Sequence, residues 1–429
     1  MGRGLRRHEP YSHRAVALSP SPYLRRWLSC RVGEGVVGGN EHSVIIPVSE
    51  RGDMSIQRRR GSIALVLSFA IMNCALASHA QDWKGTIKKE DGVVVVRNTK
   101  RPMFGDGALT LTEELSIGKA EGQGADAFFR PWYLAVDDEE NIYVMDQGDC
   151  QVKVFKKSGA FLRAIGRRGE GPGELQHPDN IFLTADRRLV IEDYIRNLTH
   201  YSLDGLFVKT QSTTRIFPID VLVDTTGRVF ALVNIREPGI SGKEVALYDE
   251  NLKLLQTVIS FPRPEPDPRV LEPFQPEVHW ALLKGNGLAV SGQTEYVVDV
   301  FGPQGMRIRR ITRDYDPVKI SEEDVKQRVR KVPEGRTLAV PKYFTAVSSL
   351  TADDKGRLYV RTNEKASGST CFYDVFDSDG RYLAKIALKN GAQVWKNSRL
   401  YSIEEDESGF QVVKRYRVNW NLRFKEGTS

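Results

Sequence analysis

Gly166 to Leu175 reads GRRGEGPGEL, four glycines, a proline and two arginines in ten residues, which is the composition of a phosphate-wrapping loop. A phosphate loop needs G-x-x-x-x-G-K-[ST], so that backbone N–H groups enclose the anion and a lysine reaches its outer oxygens. Here Gly171 is followed by Pro172, and neither the lysine nor the hydroxyl is present. The dinucleotide spacing fails as well, because Glu174 stands where the third glycine belongs, and Glu170 and Glu174 would repel an anion. Other reactive residue types are sparse. His177, His200 and His279 could bind zinc only if the fold gathered them. Asp179, Asn180 and Asp220 offer the oxygen ligands that a hard cation such as calcium prefers. FDSDG, Phe376 to Gly380, lacks the first and last ligands of a calcium loop, and no G-x-S-x-G nucleophile elbow occurs.

Charge excludes one class of partner. Of 62 basic and 55 acidic residues, 11 and 5 fall in residues 1–80, which leaves 51 against 50 in the body. A body this close to neutral gives no electrostatic basis for nucleic-acid binding. The N-terminus reads as a targeting segment: Arg58–Arg60, an apolar run from Ile63 to Ala77, and small residues ending at Ala80. Met54 lies just upstream, so residues 1–53 are expected to be an extension without a fold and residues 54–80 a signal cleaved before Gln81. Retention of residues 61–80 as an anchor, or lipidation at Cys74, are the alternatives, and the membrane would be met only there. Either way the body, residues 81–429, is expected in the periplasm or outside the cell.

Within that body one pattern repeats. A short apolar strand leads into an Asp/Gly turn and a strand such as IYV; a polar loop, a strand ending in an aromatic, a second Asp/Ser-Gly turn and a fourth strand follow. The second-strand anchors are Ile142, Leu189, Val229, Leu288, Leu358 and Leu400, spaced by 47, 40, 59, 70 and 42 residues. Four short strands per unit at this period predict an all-β propeller of six antiparallel blades. The two long gaps hold a proline-rich stretch, Pro262 to Pro276, read as a loop, and a short helix from Ser321 to Val332 between blades 4 and 5. The sixth unit lacks a fourth strand, and Ala108 to Gly118 is expected to supply it and close the ring. Gly92 to Val96 is a further strand candidate. GRRGEGPGEL then falls where the chain returns from the rim of one blade to the axis of the next, and is read as a corner.

GRRGEGPGELQHPDNI and DDEENIYVMDQGDCQVKVFKKSGAFLRAIG together resemble the NHL-repeat, six-bladed propellers of secreted and periplasmic proteins, over about residues 84–420. The resemblance implies a fold and no single activity. In the peptide-amidating lyase of this kind the zinc histidines follow the proline that opens an inner strand; the matching positions here hold Trp132, Asp179, Ile219 and Val278. Lactonase-type propellers, which hold a divalent ion at the axis, would use Asp179, Asn180 and Asp220. Cys150 and Cys371 fall at one repeat position in blades 1 and 5, too far apart for a disulfide, so two free thiols are expected.

The inner-strand starts point Arg130, Trp132, His177, Asp179, Asp220, His279 and Trp280 toward one rim of the central channel. Mixed charge with aromatics suits a peptide, a carbohydrate or a small polar ligand. The sequence therefore favours a monomeric, exported propeller that binds such a ligand, or a partner protein, without catalysis and without a cofactor. The alternative is a metal-assisted lyase or lactonase with calcium or zinc in the channel.

Overall fold

A computed structural model describes residues 83–422, apart from 119–123, 125, 194–195, 367–369, 390 and 392, and apart from the side chain of Arg236. The proposed extension and signal lie outside the described residues.

Two strands, β1 (Thr86–Glu90) and β2 (Val93–Asn98), form a hairpin, and β3 (Leu109–Ile117) follows. Blade 1 then comprises β4 (Pro131–Val136), β5 (Ile142–Asp146), β6 (Gln151–Phe155) and β7 (Phe161–Ile165). Blade 2 comprises β8 (Pro178–Leu183), β9 (Arg188–Asp193), β10 (Asn197–Ser202) and β11 (Phe207–Ser212). Blade 3 comprises β12 (Asp220–Val223), β13 (Val229–Glu237), β14 (Ile240–Tyr248) and β15 (Leu254–Pro264). After β16 (Val270–Leu271), blade 4 comprises β17 (His279–Leu283), β18 (Gly287–Ser291), β19 (Val297–Phe301) and β20 (Arg307–Arg313). Helix α1 (Glu322–Arg328) and β21 (Thr337–Leu338) precede blade 5, which is β22 (Val347–Ala352), β23 (Leu358–Lys365), β24 (Thr370–Phe376) and β25 (Tyr382–Lys389). Blade 6 contributes β26 (Gln393–Lys396), β27 (Arg399–Glu405) and β28 (Gln411–Trp420).

Its fourth strand is β3, which pairs antiparallel with β28 and sets Ile117 opposite Val413 and Leu111 opposite Val418. The six-bladed ring is thus closed as the sequence required. The β1–β2 hairpin goes elsewhere: β2 adds to the outside of blade 4, parallel to β20, and makes that sheet six-stranded. Buried Asn98 fixes the join, donating to Thr312 O and Gly380 O and accepting from Tyr382 N of blade 5.

The Asp/Gly turns have one mechanism. In the blade 5 turn, Asp353 Oδ1 accepts the N–H groups of Lys355 and Arg357 at 2.9 and 2.7 Å. Asp377 does the same for Asp379 and Arg381 at 3.0 and 2.8 Å. The fourth residue of each turn, Gly356 or Gly380, has φ of +85°, where a side chain is disfavoured. Asp137, Asp224, Asp249 and Asp406 repeat this capping. The core sits in the seams between blades. One seam, between blades 1 and 2, packs Tyr143, Val152, Ile165, Leu175 and Tyr201.

Two insertions need comment. Glu322–Arg328 is capped by Ser321 through a reciprocal bond with Asp324, with acids in the first turn and Lys326 and Arg328 in the last. The proline-rich stretch is a loop only in part: Pro262 and Pro264 belong to β15, the outer strand of blade 3. Proline is tolerated there because an edge strand leaves one row of N–H groups unpaired. Beyond it, Val270–Leu271 pairs parallel with Thr337–Leu338, tying the two insertions together. Among the described residues no helix is long and apolar enough to cross a membrane.

Candidate functional site

The inner strands β4, β8, β12 and β17 all begin at one face, and the chain is clamped just before two of them. Asp146, at the end of β5, accepts the N–H groups of Phe129 and Arg130 at 2.9 and 2.8 Å. Asp193, at the end of β9, accepts those of Gln176 and His177 at 2.7 and 2.9 Å. The ladder then skips a residue in both blades. Pro131 pairs with Asp146 and Tyr133 with Met145; Pro178 pairs with Asp193 and Asn180 with Glu192. The skipped residues are Trp132 and Asp179. A bulge frees a residue from pairing and redirects its side chain, and here it does so at the same step of two neighbouring blades. Blade 3 presents Asp220 at the first position of β12, where its Oδ2 accepts the Trp280 indole Nε1–H from blade 4 at 2.8 Å.

Asp179, Asp220 and a third carboxyl, Glu192, lie within reach of one another's charge. Burial raises all three above the ordinary carboxylate range. Asp220 is pushed up to about 6, chiefly by burial; Trp280 and the Val221 N–H favour its ionised form, and Asp179 opposes it. Glu192 is driven higher still by burial and then by the charges of Asp220, Asp179 and Asp193. Its Oε2 is sealed from solvent with no hydrogen-bond partner among the described residues. Trp132 and Arg130 favour the ionised form of Asp179. Tyr133 senses all three carboxyls, and burial raises its hydroxyl pKa before they do. Tyr133 as a residue nonetheless keeps 39% of its surface accessible.

Basic side chains also lie within electrostatic reach of Asp220. Burial lowers Lys243 on β14, where Arg263 acts in the same direction and Glu277 and Asp220 oppose. His279 is lowered to about 4 by burial, with Lys243 and Arg361 reinforcing this and Glu277 opposing. His279 therefore joins the basic side chains and not the carboxyls. His177 is exposed, and its structural role is through its backbone. Arg130 lies 6.0 Å from the Trp132 ring centroid and donates to Gln147 Oε1. Asn180 is buried, with Oδ1 accepting from Ile181 N–H, so it turns into the blade. Among the described residues no three His, Cys, Asp or Glu side chains gather as a metal ion would require. Cys150 and Cys371 are free thiols on blades 1 and 5.

GRRGEGPGEL supplies its own anion. The Glu174 carboxylate folds back to accept from Gly171 N–H and Arg167 Nε, both at 2.8 Å. A Cβ on Gly169 would meet Glu174 Oε2 at 1.9 Å, which explains the glycine. Leu175, fully buried, anchors the loop in the seam between blades 1 and 2.

Tyr133, Glu192 and Lys243 escaped the sequence reading, which considered inner-strand starts alone. Glu192 had a signal: it falls where blade 1 has Met145, directly after the apolar run Leu189–Ile191.

A family model described as a 6-bladed beta-propeller matches residues 133–262, which span blades 1 to 3. A comparison with curated proteins found no match. Among solved structures, a Bacteroides fragilis protein provisionally named as exported aligns at 10% identity and TM-score 0.50, covering 76% of this chain and 99% of that one. A member of the duf4221 family from Bacteroides vulgatus aligns at 9% identity and TM-score 0.47, covering 72% and 98%. Virginiamycin B lyase from Staphylococcus aureus aligns at 9% identity and TM-score 0.36, covering 73% and 90%. At such identities the likeness concerns the fold alone.

Proposed function

We propose that this propeller is exported by residues 54–80 and binds a small, positively charged organic ligand at its channel mouth, without catalysis. The observation that supports this reading is the meeting of Asp179, Asp220 and Glu192, with Glu192 Oε2 left without a partner. Carboxyls crowded in a desolvated place weaken a fold, and such crowding is typical of binding sites. A ligand carrying an ammonium or guanidinium group relieves the crowding by charge-assisted hydrogen bonds. Trp132, Trp280 and Tyr133 supply aromatic surface beside it, suited to a cation with an apolar stem. Lys243 and Arg263, within electrostatic reach of Asp220, suit an acidic group on the same ligand, so an amino acid or a peptide end fits best.

The test is calorimetric titration of the exported body with L-arginine, its methyl ester and spermidine. Binding should weaken about tenfold in Glu192→Gln, the size expected for loss of one charge-assisted bond. Failure of every amine to bind at millimolar concentration overturns the reading. The metal-assisted lyase or lactonase makes a different prediction: calcium or zinc at one ion per chain in purified protein.

A further inference from the structure

The face opposite the mouth holds a second cleft, of about 580 Å³, in the seam between blades 5 and 6. Its origin is the shortness of one hairpin. In blade 5 the inner hairpin runs through five residues, Asp353 to Arg357, whereas in blade 6 only Asn397 and Ser398 separate β26 from β27. Both have positive φ, 53° and 57°, the two-residue turn that matches strand twist. The taller blade 5 hairpin therefore stands over a gap.

The cleft is rich in donors. Lys355, exposed on the blade 5 hairpin, reaches Ser398 Oγ at 2.6 Å and keeps two N–H groups for other acceptors. The Arg357 guanidinium lies 4.9 Å from the Trp420 ring centroid. Trp395 is 4% exposed and stacks on Tyr359 with ring centroids 4.1 Å apart and planes 14° from parallel. Trp395 lines this cleft, and its Nε1–H, closed to solvent, has no acceptor among the described residues. The acidic residues of the wall are already engaged. Asp353 accepts from Lys355 N, Arg357 N, Arg357 Nη1 and Tyr359 OH, and Asp354 accepts from Asn397 N.

The geometry points to a second binding site here, for a small organic anion that carries a carboxylate. An indole N–H buried without an acceptor is unfavourable, and a small shift of Trp395 toward the cleft would let the carboxylate supply the oxygen it lacks. Lys355 and Arg357 meet the charge, and the Trp420 face supports a ring or carbon stem attached to it. This site is independent of the channel mouth: it lies on other blades and prefers the opposite charge.

D-galacturonate is the probe and D-galactose its neutral counterpart, titrated calorimetrically into the exported body with tryptophan fluorescence as a second readout. Galacturonate should bind and galactose should bind at least tenfold more weakly. Trp395→Phe keeps the stack and removes the N–H, and should weaken galacturonate about tenfold. Lys355→Gln, an exposed change that cannot unfold the protein, should weaken it several-fold. Glu192→Gln at the mouth should leave it unchanged. The proposal is overturned if galacturonate fails to bind at millimolar concentration, if galactose binds equally well, or if Lys355→Gln and Trp395→Phe both bind as the parent does.

Discussion

Asp220→Asn should make the protein more stable at neutral pH, by an amount that disappears in acid. Asp220 has a pKa of about 6 in the folded state against 3.8 unfolded, because burial and the neighbouring Asp179 disfavour its charge. Below pH 4 the carboxyl is protonated in both states and contributes nothing. As pH rises from 4 to 6 the unfolded chain releases its proton first, so stability falls, and above pH 6 the loss is complete. A gap of about 2 pKa units corresponds to about 3 kcal/mol at 1.36 kcal/mol per unit, an upper value for a half-buried group. Asparagine keeps an oxygen for the Trp280 indole and cannot ionise, so it abolishes the descending limb. Urea unfolding of both proteins at pH 4, 5, 6 and 7 measures the difference. If Asp220→Asn destabilises equally at every pH, the carboxylate is a structural acceptor and the crowding argument fails. A gain at pH 7 accompanied by loss of amine binding would show that the site trades stability for recognition.

Other perturbations test other parts of the molecule. His200 is 5% exposed, and burial lowers it to about 4, with Lys209 and Arg188 acting in the same direction. Its depressed pKa leaves stability intact above pH 6.5 and removes up to about 3 kcal/mol as pH falls to 4. His200→Leu should flatten that acid limb in a denaturation series. Ile117→Ala, in the closing strand and 4% exposed, should cost about 2–5 kcal/mol of unfolding free energy. Asp374, fully buried, accepts from Arg313 Nη1, Tyr296 OH and Tyr382 OH at 2.7, 2.9 and 2.6 Å. Asp374→Leu strands the Arg313 charge in the seam and should cost about 3–5 kcal/mol, whereas the double change with Arg313→Met should recover most of it. Equal losses in the single and double variants would refute the pairing.

The ring was legible because its signals are local. All six anchors fall on second strands, and Leu109–Ile117 fills the vacancy in blade 6 that the last module announced. Less visible were features decided by pairing across the chain. Nothing local in Thr86–Asn98 indicates that it adds to blade 4, since its partner β20 lies more than two hundred residues away. The prolines at 262 and 264 looked like strand breakers because sequence does not reveal which strand is an edge. The placing of Arg130, Trp132, Asp179, Asp220 and Trp280 at or beside inner-strand starts followed from the repeat offset. The bulges that turn Trp132 and Asp179 toward the axis did not, because a skipped ladder step is a relation between two strands. Glu192 was hidden for the same reason, since a carboxyl on a second strand feels Asp220 of blade 3 only once the blades are assembled.

The closing strand also dictates when the molecule can be finished. Glu113 on β3 meets Lys414 on β28 across a separation of 301 residues, so one half of the clasp emerges from the ribosome long before the other exists. Until then β3 has an open backbone edge, the kind that pairs with other chains. A product cut short before residue 411 lacks β28 and leaves β3 without its ladder partner, so the sixth blade exists only in the full-length chain.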